Sequence, residues 1–456
     1  MLLNIEKTIA ALSTGNVKSA LAVIRVSGKD AFSIVGKCIN PSDTFKEIPP
    51  KTICLYRFTS VQNQRAIDQI TAIKYLAPNS YTGENMVEIL CHGGEIIIEK
   101  ILSELVKNGA VIAGKGEFTR RAFLNGKMNL VKVEAIQGLI NSQVDKEYKA
   151  AMESYLEGYK QILFKWKNTL KEIVRNIEAE IEFPDEDDIK KKKKNHLKKI
   201  IKIRKDIEME IKKRQKSQII EKGVFVPIVG ITNAGKSSLF NLMLECERSI
   251  VHWEEGTTRD MVSEDILIAG EKIKLLDTAG LRNTSSNVEQ IGIKKTQEYI
   301  NKAALIIWVT PANIQITEHE KILLKKKGKI ICIISKTDLM DGDTKKKFCV
   351  ANHIPYFGAC LKDKHERKRI VDFIGKEVKK IIGTLEFSSL VRNQRQMNLA
   401  DSMAKQLHAV EKLYSSGEEI ISLYLRNVLN DIGEMVGDTT NEEILDSIFS
   451  EFCIGK

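Results

Sequence analysis

Apolar positions recur at two different periods along this chain, and the places where the period changes divide it. Over the first 119 residues short apolar runs at 21–26, 53–56, 70–75 and 87–90 alternate with two helical stretches and clustered Gly and Pro, which predicts a compact α+β domain. From about Arg121 to Lys222, Tyr155, Tyr159, Ile162, Trp166, Leu170, Ile173 and Ile177 fall three or four residues apart with little Gly or Pro. That spacing lines up one face of long helices. Between 223 and 383 the texture changes again. Apolar runs at 224–230, 273–276, 304–309 and 330–334 are separated by helix-length stretches, and the last helical pattern carries Ile370, Val371, Phe373 and Ile374. This rhythm predicts a mostly parallel α/β sheet. The three-and-four spacing resumes after Leu385 through Leu390, Met397, Leu407, Val410 and Leu413. The predicted organisation is an N-terminal domain at 1–119, a helical domain built from 120–222 and 384–456, and an α/β domain at 223–383 inserted into it, an arrangement permitted because domain termini often lie close together.

Composition narrows the class. The 456 residues are 43% hydrophobic and 29% charged, far too apolar for a disordered chain. The longest purely apolar run, 303–309, is well short of the roughly 20 residues that a bilayer crossing requires, so no membrane span is expected. Glu6 and Lys7 interrupt the N-terminus where a secretory signal is apolar, and the expected location is cytoplasmic. Eight cysteines without C-x-x-C pairs argue against a disulfide framework or a zinc ribbon. The net charge of +11 suits a polyanionic partner such as RNA. The lysine run at 190–194 and the basic helix up to Lys216 are candidates for such contact; the competing reading is a solvated helix face over Leu197, Ile201 and Ile207.

The inserted domain carries the sharpest motif. Gly230-Ile-Thr-Asn-Ala-Gly235-Lys236-Ser237 matches G-x-x-x-x-G-K-[ST] between a strand and a helix, the context in which backbone N–H groups cradle phosphates. Asn233, Ala234, Gly235 and Ser238 belong to this cradle. Lys236 reaches the β and γ oxygens and Ser237 ligates Mg²⁺. Further on, Asp277-Thr278-Ala279-Gly280 closes a strand with a carboxylate placed behind the metal, and Gly256-Thr257-Thr258-Arg-Asp supplies a metal hydroxyl, Thr258, from a switch-like loop. Ser335-Lys336-Thr-Asp338 resembles the N-K-x-D element of GTPases. Asp338 accepts from guanine N1–H and amino groups that adenine lacks, and Lys336 lies along the base. Serine replaces the usual asparagine that ties the base pocket to the phosphate loop, so looser guanine binding is expected. Gly358-Ala359-Cys360 stands where a last base-contacting loop belongs.

In this order the motifs resemble those of the translation-factor-related GTPases. With Ser80-Tyr-Thr-Gly-Glu-Asn, Cys91-His-Gly-Gly, Gly116-Glu-Phe-Thr-Arg-Arg-Ala-Phe-Leu-Asn-Gly-Lys127, Ile181-Glu-Phe-Pro-Asp-Glu and the terminal Phe452-Cys-Ile-Gly-Lys456, the chain resembles the MnmE (TrmE) family of tRNA-modification GTPases over essentially its whole length. The resemblance implies a multidomain α/β and α fold: an N-terminal α+β folate-binding domain, a long-helix domain and an inserted Ras-like P-loop G domain. It implies a homodimer formed through the N-terminal domain, and a heterotetramer with an MnmG-like flavoprotein. Together these would add a carboxymethylaminomethyl-type group to carbon 5 of the wobble uridine of certain tRNAs, drawing on 5-formyltetrahydrofolate or a related one-carbon tetrahydrofolate. Carried over by motif, Arg25, Glu88, Lys127 and Lys456 contact the folate. Ser13 to Ala20 departs from the family's Gly- and Pro-containing stretch, and Cys453 lies either near the folate or as a buried packing thiol.

The resemblance also implies hydrolysis assisted by K⁺, held by Asn233 and by the loop His252-Trp253-Glu254-Glu255-Gly256-Thr257. Within that loop His252, Glu254 and Thr257 are the further K⁺ candidates, and the whole loop lines the nucleotide. Glu289 is the expected catalytic glutamate that orients the water, acting with Lys236; Arg282, grouped with them, serves the switch rearrangement rather than the chemistry. Two other uses of the same parts are a ribosome-assembly GTPase and a folate-binding scaffold with a weakened G domain.

Overall fold

A computed structural model describes residues 7–15, 17–156, 158–182, 189–221, 223–246, 263–277, 303–318, 320, 329–340, 342–382, 389–414 and 417–456. Two compact units are present: 1–141 with 151–204 and 402–456, and 142–150 with 205–401.

In the first unit, strands β1 (Ile9–Leu12), β2 (Ser19–Ser27), β3 (Ile39–Asn40), β4 (Ile53–Thr59), β5 (Ala66–Tyr75), β6 (Met86–Gly93) and β7 (Val111–Ile112) form one sheet in the order β3-β4-β5-β6-β2-β1-β7. All neighbours are antiparallel except β1 and β7. Alternation explains why these segments are strands. In β2, Ala22, Ile24 and Val26 are buried while Val23 and Arg25 between them are half-exposed. The inward positions pack on helices α1 (Ala31–Cys38), α2 (Ser42–Glu47) and α3 (Glu95–Lys107), through Ile34, Val35, Phe45, Ile101 and Leu105. On the opposite face Ile9 and Ala11 of β1 are covered by Phe118 and Tyr81, whereas the β4 end is exposed. There Ile53 and Leu55 are 65% and 61% exposed.

Helices α4 (Glu117–Leu124), α5 (Leu130–Asn141), α6 (Asp145–Tyr155), α7 (Gly158–Glu182) and α8 (Ile189–Glu221) follow. The predicted one-face spacing is realised in α7, where Leu163, Trp166, Leu170, Ile173 and Ile177 are buried; Ile162 is exposed instead. In the second unit β8 (Val224–Val229) leads to α9 (Lys236–Cys246), then β9 (Ser263–Ile268), β10 (Glu271–Asp277), β11 (Leu305–Pro311), β12 (Lys329–Ser335), α10 (Asp343–Ala351), β13 (Tyr356–Ala359) and α11 (Lys364–Ile382). The sheet order is β13-β12-β11-β8-β10-β9, parallel throughout except for the β9–β10 pair. Its fully buried strands read as continuous apolar runs, as parallel strands covered on both faces do.

Three helices close the chain: α12 (Gln394–Leu413), α13 (Glu418–Val436) and α14 (Glu442–Ser450). Asn441 caps α14 by accepting from the Ile444 N–H at 2.9 Å. Leu445, Phe449 and Phe452 pack with Leu130 and Val133 in one cluster, and α13 meets α7 where Arg426 donates to Glu178 at 2.6 Å. Among the described residues no helix is long and apolar enough to cross a membrane.

Candidate functional site

The phosphate loop spans the turn between β8 and α9, so its N–H groups face the positive end of a helix. Gly230 is needed there for space: at φ +151° its Cα lies so near β11 that a methyl group would stand 2.1 Å from the Val309 carbonyl oxygen. Asn233 holds φ +59°, which curls the loop. Lys236, only 8% exposed, donates to the carbonyls of Gly230 at 3.0 Å and Ile231 at 2.8 Å, so its ammonium sits within the curl. Asn233, Ser237 and Ser238 are exposed at the mouth, whereas Ala234 is buried and serves packing. Asp277 ends β10 in register with Ile228 of β8, on the strand beside the loop.

Ser335 joins the end of β12 to the phosphate loop. Its side chain is buried, and its hydroxyl donates to the Ala234 carbonyl at 2.5 Å. Serine, shorter than the usual asparagine, thus still bonds directly to the phosphate loop. Lys336 follows at φ +58°, and Asp338 is exposed. The region around Ala359 is a strand rather than a loop: β13 places Ala359 in register with Ser335, with its side chain in the core. Only the backbone of Ala359 is left to meet a base. Asp338→Asn is expected to weaken GTP binding and relax the preference over xanthosine triphosphate; competition binding with the two nucleotides checks this, and an unchanged preference removes Ser335–Asp338 as the guanine reader.

The first-switch candidates His252, Trp253, Glu254, Glu255, Gly256, Thr257 and Thr258, and the second-switch candidates Thr278, Ala279, Gly280, Arg282 and Glu289, lie outside the described residues.

A second cluster lies in the N-terminal sheet. Strand register sets Ile53, Ile73, Glu88 and Arg25 side by side across β4, β5, β6 and β2. Arg25 Nε donates to Glu88 Oε1 at 2.8 Å, and Tyr75 donates to Glu88 Oε2 at 3.1 Å. Burial first, then the Glu88 carboxylate, pushes the Tyr75 phenol pKa up, so Tyr75 remains a donor. The Arg25 guanidinium also lies 5.1 Å from the centre of the Tyr81 ring. Because the bond to Glu88 uses Nε, the outer guanidinium edge keeps its fork for an anionic ligand group.

Lys127 apart, the residues that hold the loop carrying Tyr81 have no role assigned from sequence. Arg121, 2% exposed, donates to Glu84 at 3.1 Å and to Glu117 at 2.9 Å, while Ser27 donates to Glu84 at 2.7 Å. Asn125 donates to the Thr82 carbonyl at 2.7 Å. Lys127 is exposed and donates to the Pro78 carbonyl at 2.9 Å. It thus joins the loop that carries Tyr81, with no direct bond to Arg25 or Glu88. The mix of Glu and Arg within those motifs was the available signal for this buried network.

The C-terminal tail docks on the same domain. Ile454 bridges Lys115, the Gly116 N–H donates to the Cys453 carbonyl at 3.3 Å, and Ser13 donates to the Gly455 carbonyl at 2.9 Å. Ser13, part of the stretch that departs from the family pattern, is thus a holder of the tail. Gly455 at φ +92° packs against Leu12, whose β1 neighbour Ala11 pairs with Arg25. Lys456, next in the chain, is half-buried. Cys453 is exposed, which rules out the buried packing role.

Comparison with known proteins identifies the family. The family described as GTP-binding protein TrmE N-terminus matches residues 8–127, and that described as MnmE helical domain matches residues 130–453. The tRNA modification GTPase MnmE of Thermotoga maritima is 33% identical, covering 98% of this chain and 100% of its own. That of Carboxydothermus hydrogenoformans is 32% identical over 99% and 100%, and that of Bacillus cereus 30% identical over 98% and 99%. With one family profile spanning well over half of its length and full-length relatives above 30% identity, the chain belongs to the MnmE family of tRNA-modification GTPases.

Proposed function

We propose that this chain hydrolyses GTP in its 223–383 segment and, with an MnmG-like flavoprotein in a heterotetramer, serves addition of a carboxymethylaminomethyl-type group to carbon 5 of the wobble uridine of certain tRNAs. As a member of the family it is a GTP hydrolase acting on tRNA. One observation carries the finer reading: the chain holds a phosphate cradle around Lys236 and, separately, a cation–carboxylate pair on a sheet face where the C-terminal tail docks. A ribosome-assembly role has no use for the second site, and a decayed G domain would not keep the Ser335 link to Ala234.

In this reading Lys236 offsets charge on the β and γ oxygens, Ser237 and Thr258 hold Mg²⁺ with Asp277 behind them, and Glu289 orients the attacking water. The exposed Asn233, with His252, Glu254 and Thr257, holds K⁺ where other GTPases insert a guanidinium. In the N-terminal domain Arg25, Lys127 and Lys456 meet the glutamate tail of a tetrahydrofolate such as the 5-formyl derivative, and Glu88 accepts from the pterin edge. The folate, when bound, supplies the one-carbon unit. The apolar open face around Ile53 and Leu55 supports a homodimer formed through this domain.

Steady-state GTP hydrolysis in KCl and in NaCl at equal ionic strength tests the hydrolytic half. Turnover stimulated by potassium is the expected result. Equal turnover discards the K⁺ role of Asn233 and the 252–257 loop, and no turnover in either salt leaves a folate-binding scaffold.

A further inference from the structure

We infer that the outward face of α8 is the chain's tRNA-binding surface, formed by Lys194, Lys198, Lys202, Lys205, Lys212 and Lys216. At 3.6 residues per turn these six fall within an arc of about 80° and run along about 33 Å of helix. All six are exposed. Only Met209, 50% exposed, interrupts the stripe; Asp206 and Glu208 fall outside the arc.

The helix does not need this face to fold. Its opposite side supplies the apolar contact, with Ile200, Ile203, Ile207 and Ile211 buried. Leu197 and Ile201, expected to lie under the lysines, are only half-buried. Basic residues off the stripe have carboxylate partners: Lys199 pairs with Glu172 at 3.3 Å, Arg204 with Glu411 at 3.0 Å and Lys213 with Glu210 at 2.9 Å. None of the six stripe lysines has an ion pair or side-chain hydrogen bond among the described residues. Three pairs of them, 194/198, 198/202 and 212/216, stand four residues apart, an arrangement that repels along a helix. A row of cations with no partner among the described residues, disfavouring its own helix, is relieved by an anion of matching length. Salt screens exposed charges beyond about 8 Å at physiological strength, so a compact anion engages one end of the stripe and only an extended polyanion engages all of it. The family's substrate is such a polyanion.

The inference rests on the tRNA reading above, and its test separates the two. Binding of a tRNA transcript to the full chain is measured as a function of KCl for the parent, for Lys198→Gln/Lys202→Gln/Lys205→Gln, and for a control with three scattered exposed lysines replaced, Lys100→Gln/Lys165→Gln/Lys347→Gln. The stripe variant is expected to bind at least about tenfold more weakly near 100 mM salt, with the log–log salt slope smaller by about 3, one for each phosphate no longer neutralised. The control is expected to follow the parent, and GTP hydrolysis without tRNA to be equal in all three. Parent-like affinity and slope in the stripe variant overturns the inference while leaving tRNA binding in place, as does an equal loss in the control. A parent that binds no tRNA even at low salt overturns both.

Discussion

Glu289→Ala is expected to lower kcat for GTP by about 10²–10⁴-fold, the range for a positioned acid–base group, with GTP affinity close to the parent's. The asymmetry follows from what holds the nucleotide. In the proposed mechanism affinity comes from the phosphate loop, where Lys236 is fixed by two backbone carbonyls, and from the proposed base reader at 335–338, linked to that loop through Ser335. Neither of these involves residue 289. A carboxylate that orients water acts only as the attacking oxygen approaches, so its removal appears in kcat and not in binding. Single-turnover hydrolysis in KCl alongside equilibrium binding of a slowly hydrolysed GTP analogue checks the split. A variant that turns over normally takes Glu289 out of the mechanism, and one that loses affinity and turnover together assigns residue 289 to structure.

How much was legible in the sequence depended on whether a function is written along the chain or across it. The phosphate loop is contiguous, so its spacing alone located Gly230, Lys236 and Ser237, and the apolar runs located β2, β4 to β6, β8 and β10 to β12. Short edge or end strands such as β1, β7, β9 and β13 escaped because two to six residues carry too little periodicity. The pairing of Arg25 with Glu88 depends on strand register, which no local pattern specifies. The Ser335–Ala234 link is hidden for a related reason: the length of a side chain is visible in the sequence, but the distance it must span is not. Arg121 is the clearest case. A basic residue in a helical pattern reads as surface, yet Glu84 and Glu117 converge on it and it is buried.

The widest such separation, 442 residues, lies between Ser13 and Gly455, and it carries the second large expected effect. Gly455→Ala is expected to lower affinity for 5-formyltetrahydrofolate by about 10- to 100-fold, equivalent to losing one hydrogen bond to a charged group at about 1.5–3 kcal/mol. A methyl at this position would stand 1.8 Å from the Leu12 carbonyl oxygen, at a φ of +92° that L side chains rarely adopt. The last two residues must therefore leave β1, and Lys456 moves with them. The rest of the tail stays, because Phe452 is 3% exposed and packed with Leu445, Phe449, Leu130 and Val133. The fold is retained, and GTP hydrolysis, which uses the other compact unit, should proceed at the parent's rate. Titration of the folate against the parent, Gly455→Ala and Lys456→Ala decides between two roles for the tail. Equal losses in both variants mean that Gly455 acts by presenting the Lys456 side chain, whereas a loss confined to Gly455→Ala means that the docked backbone itself shapes the pocket. Parent-like affinity in both removes the tail from the folate site.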